Sequence, residues 1–141
     1  MKIILISGKA GSGKSSLANI LKEKLDKCVV TNYSKYIKLF AIEMLNWDGS
    51  DENKPRSFLQ EMGDTLRSIN KNFLTDRMLQ DISVYSKYYD YVVISVLDCM
   101  IVEKIESYLI ENGISPDKIV RINKEYLTKE NLPKEIGMLI E

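Results

Sequence analysis

Short apolar runs alternating with helix-patterned stretches predict an α/β fold in three layers over the 141 residues. A short parallel sheet is covered by helices on both faces, with a helical insertion between its second and third strands. Three observations carry this. The strand-like runs are short and rich in β-branched residues, and glycine or a polar residue ends them, as in strands buried on both faces. Apolar residues between them recur at helical spacing. Residues 33–87 show helical spacing alone, over a length too great for a plain crossover.

The elements follow in order. Residues 2–7 form the first strand, and Leu17, Ile20, Leu21 and Leu25 mark a helix from about Lys14 to Asp26. "CVVTN" (28–32) is the second strand. Ile37, Phe40, Ala41, Met44 and Leu45 lie on the next helix, and the polar "NWDGSDENKP" (46–55) is a loop. Pro55 opens a helix to about Ile69, since its missing N–H is not needed in a first turn. A further helix covers roughly 73–87. "YDYVVISVLD" (89–98) is the clearest buried strand, followed by a helix to about Glu111 that Asn112-Gly113 stops. "KIVRI" (118–122) is the last strand, and 125–141 form a short helix or two. With no repeat or linker, residues 1–141 read as one domain with residues 33–87 as its insertion.

Composition excludes several classes. Twenty basic residues balance twenty acidic ones, so no global field draws the chain to nucleic acid or to a membrane surface. The absence of histidine removes His-based triads and His-ligated metals. Cys28 and Cys99 form no CxxC and read as buried reduced thiols. The apolar run after Met1 is too short for a signal peptide, and no run reaches membrane-spanning length, so a cytoplasmic protein is expected.

The chemistry begins at "LISGKAGSGKSSLA". Gly8 to Ser15 match G-x-x-x-x-G-K-[ST] at every fixed position, between a strand and a helix. Glycines let successive backbone N–H groups turn inward into an anion nest, and the helix adds its positive dipole end. Gly8, Ala10, Gly11, Ser12, Gly13, Lys14, Ser15 and Ser16 are therefore expected to hold the phosphates of ATP. Lys14 reaches the β- and γ-phosphates, and the Ser15 hydroxyl ligates Mg²⁺. The sheet is thus expected to be that of a P-loop NTPase. Such a site needs a second-strand carboxylate, for which Asp98 is the candidate, as metal ligand and catalytic group. The other role open to Asp98 is a helix N-cap, and the two are compatible. Ser95 interrupts the same apolar strand near its carboxyl end.

A second signal lies in "KPRSFLQEMGDTLRSIN" (54–70). Arg56, Gln60, Gly63 and Arg67 share one helical stripe beside an apolar stripe of Leu59, Met62, Leu66 and Ile69. Such a stripe suits a nucleoside monophosphate. Arginine grips its phosphate bidentately, Gln60 reads a base edge, and Gly63 lets a flat ring approach. A solvated polar face with an incidental glycine is the other reading. Tyr33 follows the second strand, where an acceptor would sit. Only four arginines occur, Arg56, Arg67, Arg77 and Arg121. Of these, Arg77 is the candidate for stabilising transition-state charge, against an alternative role as a surface partner of Asp81.

"LISGKAGSGK", "RSFLQEMGDTLRSINKNFLTDRML" and "YVVIS" with a later "KIVRIN" together resemble the P-loop deoxynucleoside monophosphate kinases of phages and bacteria, over most of residues 2–124. The resemblance implies a nucleoside monophosphate kinase-like fold. It also implies transfer of the γ-phosphoryl group of Mg²⁺-ATP to a (deoxy)nucleoside monophosphate. A monomer or a homodimer is expected, and the sequence does not choose between them. Where that family has aspartate and arginine two residues apart, "SVLDCM" offers Asp98 without an arginine. Two other readings stay open. One is a nucleotide-binding module without catalysis, and the other is a P-loop kinase for another small acceptor.

Overall fold

The structure is a computed structural model and describes residues 1–8, 14–96 and 99–123. They form β1 (Lys2–Ser7), α1 (Lys14–Lys24), β2 (Cys28–Asn32), α2 (Lys35–Leu45), α3 (Arg56–Ile69), α4 (Phe73–Tyr85), β3 (Tyr91–Val96), α5 (Cys99–Glu111) and β4 (Ile119–Asn123), with a 3-10 turn at Pro116–Lys118. The chain divides into two compact units. One holds the strands, up to Asn32 and from Leu79 onward, and the other is Tyr33–Met78, the division falling inside α4.

In the first unit the four strands form one parallel sheet in the order β2-β3-β1-β4. The connection from β1 runs to one edge and that from β3 to the other. With right-handed crossovers this sends α1 and α5 to opposite faces. The register agrees. Ile4, Ile6, Val93 and Ile122 share a face with Leu17, Ala18 and Leu21 of α1 in one core cluster. Ile3, Leu5, Val92 and Ile94 alternate to the other face, where Val102, Ile105 and Leu109 of α5 are buried. Residues Ile3 to Ile6 of β1 are at most 1% exposed, which requires cover on both faces and explains why the run does not alternate with polar residues.

Boundaries shift by a few residues from the sequence reading. Helix α1 ends at Lys24 and not Asp26, because Lys27 takes a left-handed conformation (φ 50°) and its carbonyl accepts from the N–H groups of Asp90 and Tyr91. Strand β3 starts at Tyr91, and the Asp90 carbonyl accepts from Lys2 N–H at the amino edge of the sheet. Pro55 is the N-cap of α3 and not its first helical residue. Helix α4 ends at Tyr85 and not at 87. Helix α5 stops where expected, with Gly113 at φ 96° and Ile114 N–H donating to the Leu109 carbonyl. The tail 125–141 lies outside the described residues.

The second unit is helical. Helix α2 packs on α3, and Phe40 stacks on Phe58 with ring centroids 6.0 Å apart. Between them, Asp48 ties the loop by accepting from Ser50 N–H, Ser50 Oγ and Asn53 Nδ2, while Trp47 Nε1 donates to the Ser50 carbonyl. Ile69, expected on the apolar stripe of α3, is 72% exposed, since the helix ends there and nothing in its own unit covers the last turn.

Candidate functional site

In the open parallel sheet, ligands bind beyond the carboxyl ends of the strands, at the point where successive connections leave in opposite directions. Here that point lies between β1 and β3. The chain leaves β1 at Ser7 and re-enters helix at Lys14, which brings Gly8 and the start of α1 to this edge. Gly8 adopts φ 149°, a conformation L side chains rarely take, which accounts for glycine at the first position of the motif. Lys14 is the first residue of α1, and its Nζ donates to the Gly8 carbonyl. The ammonium is thereby held at the edge of β1, beside the start of the helix. Ser15 and Ser16 follow on the exposed side of the first turn, where no acidic residue competes for the helix dipole.

Ala10, Gly11, Ser12 and Gly13, with Asp98 beyond β3, lie outside the described residues. Ser95 pairs in register with Ile6 on one side and Asn32 on the other, near the same carboxyl edge and on the α1 face. Ser7, one rung further along, is 3% exposed.

The arginine stripe lies on α3. Arg56 is its first residue and is exposed; Gln60 is exposed, Gly63 buried and Arg67 half-buried. Asp64 draws two of these positions together. Its Oδ1 accepts from Arg67 Nη2 at 2.8 Å, and its carboxylate accepts from Gln60 Nε2 at 3.2 and 3.3 Å. The Arg67 guanidinium, and then the Gln60 amide, hold the Asp64 carboxyl below the usual aspartate range. Sequence reading missed Asp64, although its spacing of four from Gln60 and three from Arg67 is the signal for such contacts on a helix. The buried Gly63 also gains a local explanation. A methyl group there would meet Arg67 Nη2 at 3.1 Å, so the group filling the space at this glycine is the guanidinium of the same helix.

Arg77 of α4 lies over the ring of Tyr36 of α2, its Cζ 4.7 Å from the centroid, and Lys35 Nζ stands 5.1 Å from the same centroid. Tyr33 is half-buried in the turn after β2. Arg121 of β4 is engaged by α5, with Glu106 at 3.3 Å and Glu103 at 3.7 Å. A groove near the end of α2, lined by Leu45, Trp47, Asp48, Asn53 and Pro55, contains none of the sequence-predicted residues. Among the described residues, no cluster of three metal-ligating side chains occurs, and no helix is long and apolar enough to cross a membrane. Cys28 is buried, and that burial pushes its thiol up, with Lys22 acting weakly in the other direction.

No family model matches the chain, and no curated protein matches it by sequence. Among solved structures, the tunicamycin resistance protein of Deinococcus radiodurans is similar at 15% identity, with a TM-score of 0.53 over 99% of this chain and 80% of that one. The likeness is one of fold. It agrees with the α/β architecture built on a four-stranded, all-parallel sheet.

Proposed function

We propose that this chain transfers the γ-phosphoryl group of ATP to a nucleoside or deoxynucleoside monophosphate. The observation that carries the reading is Lys14. It opens α1 at the carboxyl edge of β1, with its ammonium anchored at Gly8. A cation and a helix N-terminus at a sheet switch point meet the charge of a triphosphate. The Ser15 hydroxyl, in the first turn of α1, fits a hard cation that prefers oxygen ligands, and with Asp98 it would hold Mg²⁺. When bound, the ion neutralises charge on the β- and γ-phosphates. Arg67 and Arg56 on α3 supply donors for the acceptor's phosphate, and Gln60 supplies an amide for its base. Arg77, propped on Tyr36, supplies charge for the transition state.

A coupled ADP-release assay with ATP, Mg²⁺ and a panel of ribo- and deoxyribonucleoside monophosphates tests this directly. Release with one or more of them supports the kinase. Binding of both nucleotides without release favours a nucleotide-binding module. One observation speaks for that second reading: Arg121 is engaged by Glu103 and Glu106, and Arg67 by Asp64.

A further inference from the structure

Gly63 is the buried position of α3, and its neighbourhood is unusual. A Cβ built there would lie 3.1 Å from Arg67 Nη2, 3.3 Å from Nη1 and 3.5 Å from Cζ. All three atoms belong to one guanidinium, and its two Nη atoms are nearer than Cζ, so its Nη edge turns into the space the missing side chain leaves. Asp64 engages the same edge through the 2.8 Å contact to Nη2. The same carboxylate receives the Gln60 amide, so one short segment orients both polar groups of the stripe.

We propose that Gly63 and Asp64 are positioning residues of the acceptor site, biasing the Arg67 guanidinium, by its Nη edge against α3, toward the orientation that receives a nucleoside monophosphate's phosphate. This rests on the kinase reading above. A free arginine loses much rotational freedom when it grips a phosphate with two parallel N–H groups, and an arginine already seated has less to lose. The seat engages Nη2, and the guanidinium carries further donors on Nε and Nη1 for an incoming phosphate. The Asp64 carboxylate is 63% exposed and Arg67 34%. Water therefore screens the repulsion between Asp64 and an arriving dianion, and the exposed pair acts as a bias on Arg67 and not as a rigid clamp.

The test uses the full chain and the variants Gly63→Ala, Asp64→Asn and Arg67→Ala. Affinities for ATP and for each monophosphate are measured by calorimetry, and the Arg67 side-chain N–H is followed by NMR. We expect Gly63→Ala and Asp64→Asn to fold and bind ATP as the parent does. Both should weaken monophosphate binding by roughly two- to fivefold, the scale of an exposed ion pair, in the same direction as the larger loss in Arg67→Ala. The acceptor KM should rise while kcat stays nearly constant, and the Arg67 signal should broaden or move. Monophosphate affinity unchanged in both variants overturns the positioning role alone. A parent chain that binds ATP but no monophosphate overturns the acceptor role together with the kinase reading.

Discussion

Lys14 and Gly63 show how much single positions decide. At Lys14, a charged hydrogen bond to phosphate is worth about 1.5–3 kcal/mol. Lys14→Ala should therefore weaken ATP binding roughly tenfold to a hundredfold, which titration calorimetry reads directly; parent-like affinity would remove the phosphate role. At Gly63 two effects oppose each other. Alanine gains about 1 kcal/mol of helix propensity over glycine. Its methyl group displaces only the far end of a flexible arginine. Gly63→Ala should accordingly raise the melting temperature, the reverse of what a crowded core position would give. Asp64 has a pH signature. Its folded pKa is lowered, first by Arg67 and then by Gln60. Such a carboxylate adds stability above its unfolded pKa and loses it as pH falls through the folded value. The stability difference between the parent and Asp64→Asn should thus be present above about pH 4 and disappear at lower pH, as followed by thermal unfolding across pH. The pair is exposed, so the difference should be small.

At the scale of elements, α2 and α4 meet where Arg77 lies on Tyr36. A cation over an aromatic ring is worth about 0.5–1 kcal/mol at an exposed site and more when desolvated, enough at the half-buried Tyr36 to bias a long side chain toward one placement. If Arg77 acts in the transition state, Arg77→Ala should lower kcat more than it weakens either nucleotide's binding. Tyr36→Phe keeps the ring face and should keep kcat, while Tyr36→Leu should shift kcat toward the Arg77→Ala value. Steady-state kinetics with both substrates varied would separate these outcomes. An Arg77→Ala variant with parent-like kcat would return Arg77 to a surface role.

Across the whole molecule, burial is uneven. β1 and β3 are nearly sealed, with Ile3 to Ile6, Val92, Val93 and Ile94 at 1% exposure or less. The helical unit buries fewer large side chains, among them Ile37, Leu74 and Met78. Local opening costs least where few apolar contacts break. Native-state hydrogen exchange should therefore leave β1 and β3 amides the slowest and show α2 and α3 exchanging earlier. Slower exchange in α3 than in β1 would contradict this. Leu5→Ala, at 0% exposure in the central strand, should cost about 2–5 kcal/mol in denaturant unfolding.

The order of strands and helices was legible in the sequence, because a strand buried on both faces must be continuously apolar and an amphipathic helix must repeat near its turn. The glycine–lysine motif was legible for a similar local reason: glycine spacing, lysine and the flanking strand and helix all lie within residues 2–18. Other features depended on positions far apart or on side-chain direction. The sheet order β2-β3-β1-β4 follows from which edges pair, and no local pattern records that. Arg121 and Arg77 are both polar residues in sequence, yet one is engaged by Glu103 and Glu106 and the other rests on Tyr36, since neighbours across elements decide each case. Gly63 was visible as an unexplained glycine. Only the folded helix shows that the group occupying its space is Arg67, four residues on, because side-chain torsions choose among placements that the spacing merely allows.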